Sequence, residues 1–190
     1  MKTIKESVIN EIVINKSRFI SLIYRVDTVE EIKVKITEIR DLYKDANHYC
    51  YAYIIDDIKK SNDDGEPGGT AGVPIMEILN KFGLNYILCV VVRYFGGIKL
   101  GAGGLVRAYS KAAREALVLS SFLDVIKGYN VVICVDYNKQ KDLEQLLLEA
   151  DYTKEYNDKV IYNINCETSI KEKLERLYAI DSIAEINLFK

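Results

Sequence analysis

The chain has no tryptophan, two prolines, one histidine and four cysteines among 190 residues. The cysteines, Cys50, Cys89, Cys134 and Cys166, are far apart, each in an apolar, strand-like run. No C-x-x-C pair occurs, which argues against a zinc site and for buried, reduced thiols. Long hydrophobic segments are also missing. The longest apolar run, Tyr86–Val92, has the length of a strand and not of a bilayer span. The opening residues, MKTIKESVINE, lack the apolar middle of a signal peptide, so a cytoplasmic protein with no membrane partner is expected. A strong charge of either sign is absent too. The net charge of −2 gives no overall field to draw in nucleic acid, and no DNA partner is expected.

What is present is a substantial apolar fraction, 49% of residues, enough for a real core. Residues 4–14 and 18–26 read as strands rich in Ile, Val, Phe and Tyr. Thr28-Val-Glu-Glu31 has the form of a capping box and opens a helix carrying Val29, Ile32, Ile36, Ile39 and Tyr43 on one face. Tyr49–Ile55 is a further strand, followed by an acidic loop over Asp56–Gly72 and a helix from about Val73, which Gly83 ends. Tyr86–Tyr94, apolar until Arg93, fits a central strand covered on both faces. A long helix is expected over Leu105–Phe122.

After Gly128 come a strand (Asn130–Tyr137), a helix capped by Asn138, a hairpin turning at Asn157-Asp158, a helix opened by a second capping box (Ser169–Glu172) and a last strand (Ile183–Phe189). That βαββαβ order is ferredoxin-like. The expected class is α+β, with domains over 1–127 and 128–190.

The stretch Asn62–Ser110 holds all but one of the glycines and both prolines. Its second glycine loop contains Gly96, Gly97, Lys99, Gly101, Gly103 and Gly104, between a strand and a helix. Main-chain amides at the positive end of a helix favour an anion. No acid occurs from Val91 to Arg114, whereas Arg93, Lys99, Arg107, Lys111 and Arg114 do. Arg93, Lys99, Arg107 and the glycines are therefore candidate phosphate-binding residues. G-x-G-x-x-G and G-x-x-x-x-G-K-[ST] both fail, so a mere tight turn with solvated bases is the competing reading.

Asp63, Asp64 and Glu66 are candidates for a divalent cation, against a solvated acidic turn or one paired with Arg93 or Arg107; the EF-hand pattern fails at Lys60 and Ala71. No other cofactor is expected. His48 is a candidate for acid–base catalysis, against a structural role at the start of a strand, with no serine or cysteine assignable to it. The C-terminal region is acidic, with nine Lys/Arg against twelve Asp/Glu over 127–190, and lacks the basic string of an RNA-recognition motif. A regulatory or partner-binding module suits it better.

Four segments together resemble the IMPACT/YigZ family: Ser17-Arg18-Phe19-Ile20, Ala46-x-His48-x-Cys50-x-Ala52, Asp63–Gly72, and Arg93–Tyr109 with its Arg-Tyr-Phe-Gly-Gly opening. They cover most of residues 17–110, and residues 128–190 resemble the looser C-terminal domain of bacterial members. The resemblance implies a first domain like the second domain of a small-subunit ribosomal protein, a sheet with helices on one face, also the fold of elongation factor G's fourth domain. It implies a second domain like the last domain of elongation factor G.

Eukaryotic members regulate translation by competing for the activator of an amino-acid-starvation kinase. For the bacterial form the resemblance suggests regulation of translation, with a ribosome, RNA or translation-related protein as partner. Two alternatives stand beside this binding reading: an enzyme on a small phosphorylated or nucleotide-like substrate, metal-assisted or not, and a pure protein–protein adaptor. The binding reading is preferred because no nucleophile–base pair is visible.

Overall fold

The computed structural model describes residues 1–190 and divides into two compact units, Met1–Asp124 and Val125–Lys190. The division falls slightly before the expected Lys127-Gly128 boundary.

The first unit is built on an antiparallel five-stranded sheet in the order β2-β3-β6-β4-β5. Its strands are β2 (Val8–Ile14), β3 (Ser17–Arg25), β4 (His48–Ile55), β5 (Ile58–Asn62) and β6 (Ile87–Tyr94), preceded by a short β1 (Lys2–Ile4). The apolar run of β6 occupies the centre, buried throughout Ile87–Arg93. Alternate residues serve opposite faces. Phe19, Cys50, Ala52, Cys89 and Val91 pack with α2 (Gly72–Lys81) and α3 (Gly101–Val118).

Tyr24 and Tyr49 point the other way, meeting Lys35 and Arg40 of α1 (Val29–Leu42). Helices therefore cover both faces, as the apolar run of β6 suggests and unlike the single covered face that the family resemblance implies. The reason is visible in β4 and β6: both alternating sets of side chains are apolar, so each needs cover.

Local signals explain most of these elements. Thr28 Oγ1 accepts from the Glu31 amide at 3.1 Å, while Glu31 reaches back to the Asp27 amide. The expected first strand breaks into β1 and β2 at Lys5–Ser7. Within the supposed acidic loop, Asp56-Asp57 makes a turn and Ile58–Asn62 returns as edge strand β5.

Strand β7 (Phe122–Val135) begins in the first unit, where Phe122–Asp124 pair with β1; from Val125 on it belongs to the second unit, with β8 (Asp151–Tyr156), β9 (Val160–Cys166) and β10 (Ser182–Phe189). Their order, β10-β7-β9-β8, is the ferredoxin-like arrangement, with α4 (Gln140–Leu146) and α5 (Thr168–Leu177) as the helices. Its core gathers Val131, Ile133, Leu143, Tyr162, Ile164 and Leu174. Neither expected cap forms. A 3-10 turn over Tyr137–Lys139 takes up Asn138, and α5 starts one residue before Ser169, with Glu167 at the cap position.

Candidate functional site

Asp63 organises the acidic turn. Its Oδ1 accepts from the amides of Ala71 and Gly72 at 2.9 and 2.8 Å, and its Oδ2 from Gly69 at 2.8 Å, which ties the turn to the start of α2. Burial works against the charge, but these amides outweigh it and hold the carboxyl below its ordinary value. Asp64 is engaged separately, with Arg40 Nη2 at 2.5 Å and the Tyr49 amide at 2.7 Å.

Glu66 points inward. Its Oε1 accepts from Arg93 Nη1 at 2.5 Å and from the Tyr109 hydroxyl at 2.7 Å. The candidate cation ligands thus turn to different partners, and no group of three or more His, Cys, Asp or Glu side chains is placed to hold a metal.

His48, at the start of β4, meets the acidic turn from the sheet side. Its Nδ1 lies 2.8 Å from the Asp64 carbonyl oxygen, which only accepts, so the ring donates from Nδ1. Nε2 is left facing Glu66 Oε2 at 3.9 Å. Behind them Cys50 Sγ donates toward the Asp63 carbonyl at 3.0 Å and lies 3.3 Å from the Tyr109 hydroxyl. Burial pushes the Cys50 thiol up to about 12 and raises Tyr109 as well.

The second glycine loop closes on the same place, though not as the expected open anion nest. The Phe95 amide already donates to Asn47 Oδ1 at 2.7 Å and the Gly96 amide to Ser17 Oγ at 3.1 Å. A Cβ at Gly96 would stand 2.0 Å from the Lys16 carbonyl carbon, so only glycine lets the two backbones approach. Gly97 turns the chain at φ 83°.

Helix α3 begins at Gly101, earlier than the expected Leu105. Gly101, Gly103 and Gly104 therefore form its first turn, and Arg107 belongs to the second turn. The first turn has neither a side-chain cap nor an acid.

Both turns line a cavity of about 370 Å³ together with His48, Glu66, Pro67, Arg93, Phe95, Lys99 and Leu105. Arg93, a candidate both for phosphate and for pairing with the acidic turn, takes the second role: it is paired with Glu66 and held between the rings of Phe19 and Phe95. Lys99 is exposed at the cavity, near Gly101 and Ala102.

Arg107 lies elsewhere. With Lys111, Arg114 and Lys81 it lines an open groove of about 990 Å³ beside the outer surface of α3. Sequence reasoning missed Tyr109 and Arg40 as partners of the acidic turn. For Tyr109 the available signal was a hydroxyl-bearing residue on an otherwise alanine-rich buried helix face.

These features define a two-unit α+β protein whose N-terminal unit joins two glycine-bearing turns around a cavity with a buried ionic floor. Residues 15–117 match the Impact N-terminal domain. Over 184 residues the chain is 42% identical to the IMPACT family member YvyE of Bacillus subtilis (strain 168), covering 90% of this chain and 80% of that protein. Over 143 residues it is 44% identical to the IMPACT family member YigZ of Escherichia coli (strain K12), covering 73% and 70%. A crystal structure described as that of a hypothetical protein matches at TM-score 0.69 and 30% identity, covering 97% of this chain and 95% of the other. The chain belongs to the IMPACT family. No helix is long and apolar enough to cross a membrane.

Proposed function

We propose that this chain is a translation-associated binding protein that docks on a phosphate-bearing RNA surface, the ribosome's above all, through the outer surface of α3. The observation that carries this reading is the groove beside that helix. Arg107, Lys111 and Arg114 follow one another along it, Lys81 stands at its edge, and Glu115 is the lone acid in its lining. Spacings of three and four residues put these cations on one helix face. A near-neutral protein with cations gathered in one groove engages phosphate locally and not through its overall field.

The resemblance to a family that acts on translation favours a ribosomal or RNA partner. The competing enzymatic reading lacks a hydroxyl or thiol nucleophile in the cavity lining, and the nearby thiol, Cys50, is buried and held protonated.

The test is co-sedimentation with ribosomes across a salt series. The wild type should lose affinity steeply with salt, by roughly 0.7–0.9 unit of log–log slope per phosphate neutralised. R107A/K111A/R114A should bind weakly with a flattened slope while its thermal midpoint stays unchanged. Unaltered binding and slope in that variant would overturn the reading.

A further inference from the structure

The cavity at the start of α3 is separate from that groove, and its floor carries acceptors that lack donors. Glu66 Oε1 is occupied by Arg93 and Tyr109, whereas Oε2 lies 3.9 Å from His48 Nε2, beyond hydrogen-bond reach. His48 Nδ1 donates to the Asp64 carbonyl, so the neutral ring offers Nε2 as an acceptor too. Both residues line the cavity, and an occupant presenting two adjacent N–H groups would satisfy the two acceptors together.

Beside them Arg93 is only 5% exposed, lines the same cavity, and has a buried Nε with no hydrogen-bond partner. The other end of the required chemistry is anionic. The 18-residue helix α3 starts on the cavity with uncapped amides and no acid in its first turn, and Lys99 stands exposed there. Phe95, 45% exposed, adds an aromatic wall. The volume of about 370 Å³ falls within the roughly 300–1,000 Å³ of small-ligand sites.

We propose that this cavity binds a nucleotide whose base carries N–H donors, guanylate before adenylate or cytidylate, with uridylate weakest. Guanine offers adjacent imino and amino donors to Glu66 Oε2 and His48 Nε2. The ring lies against Phe95, and the phosphate meets the α3 amides and Lys99. Recognition of an unstacked base by its Watson–Crick edge and an aromatic wall is ordinary for single nucleotides. The same chemistry can arrive as a free mononucleotide or as one nucleotide of an RNA strand.

The experiment titrates the full chain with GMP, AMP, CMP, UMP and guanosine by calorimetry, following amide shifts of His48 and Gly101. GMP should bind at least about tenfold tighter than UMP. Lys99→Ala should weaken GMP by about tenfold or less without changing guanosine. Glu66→Gln, which keeps an oxygen for Arg93 but places a donor in the cavity, should erase the preference for GMP. His48→Ala should narrow it as well, and serves if Glu66→Gln does not fold.

A parallel arm uses short RNA strands with and without guanine. Binding confined to the strands, and dependent on Glu66 and Lys99, assigns the site to RNA. The proposal is overturned if neither form binds at millimolar concentration, or if GMP and UMP bind equally well and Lys99→Ala changes nothing. R107A/K111A/R114A should leave GMP binding intact, so failure of the groove and failure of the cavity are distinguishable.

Discussion

Glu66 and Arg93 form an ion pair at 2.5 Å with side chains only 4% and 6% exposed. The two residues belong to different segments, the acidic turn and the central strand, and the pair fastens one to the other. Removing one member leaves a buried charge without its partner, which costs about 3–5 kcal/mol. Glu66→Ala should therefore lower unfolding free energy by about that amount in urea melts. The double variant Glu66→Ala/Arg93→Met should be less destabilised than the sum of the single variants, since no orphaned charge remains. Strict additivity would show that the pair is not coupled.

Asp63 should give the acid limb of the stability curve a recognisable component. Its folded-state pKa is depressed: burial opposes ionisation, and the amides of Gly69, Gly72 and Ala71 more than offset it. A depressed carboxyl contributes stability above its unfolded value, near the ordinary 3.8, and loses that contribution as pH falls through the lower folded value. Asp63→Asn should therefore be less stable by about 1–2 kcal/mol at neutral pH and less pH-sensitive below about pH 4. Parallel acid limbs for the two proteins would contradict this.

Glycine has unequal importance along the two turns. At Gly96 an added Cβ would collide with the Lys16 carbonyl, a backbone obstacle that no rotamer change relieves. Gly96→Ala should cost about 3 kcal/mol or more, because the glycine loop must lift from the β2–β3 turn. Gly68 has nothing within 4 Å of its Cβ position and no positive φ. Gly68→Ala should be neutral, or stabilising by up to about 1 kcal/mol through the unfolded state. Thermal melts of both variants decide it.

How far the sequence discloses this architecture depends on whether a signal is local. The apolar run of β6 and the Thr28 box are local patterns, and the structure realises both. β5 was hidden because an edge strand needs little apolar content, and Lys59-Lys60-Ser61-Asn62 looks like loop. The Ser169 box fails because α5 opens before it, at Thr168. The site was legible as a set of residues and only in part as a set of pairs. Arg93 and Arg107 read equally as partners of the acidic turn, and nothing local tells which of them Glu66, 27 residues before Arg93, takes. Likewise the acid-free stretch suggested one basic surface, and the turn of α3 divides it between a cavity and a groove.

Thiol chemistry should report the burial of the sheet. Cys50 and Cys89 are buried and pushed up to about 12, and burial raises Cys166 as well. The thiolate is the reactive form, so alkylation of the native chain at pH 8 should be confined to half-buried Cys134. The other thiols should react only after unfolding, as mass spectrometry of the labelled chain would show. Early labelling of Cys50 would mean that the acidic turn opens readily over β4.

The orientation of His48 is the most direct check on the cavity floor. In water a neutral imidazole can carry its proton on either nitrogen, and neighbours decide which. Here the Asp64 carbonyl, 2.8 Å from Nδ1, can only accept, and the acidic turn holding it is pinned by Asp63 and Arg40. Nitrogen-15 shifts of the neutral ring should therefore show a protonated Nδ1 and a bare Nε2. In Asp63→Asn, where the turn loosens, the two tautomers should mix. A protonated Nε2 in the wild type would place a donor opposite Glu66, satisfy its free oxygen from within, and remove the acceptor pair on which ligand recognition at this cavity depends.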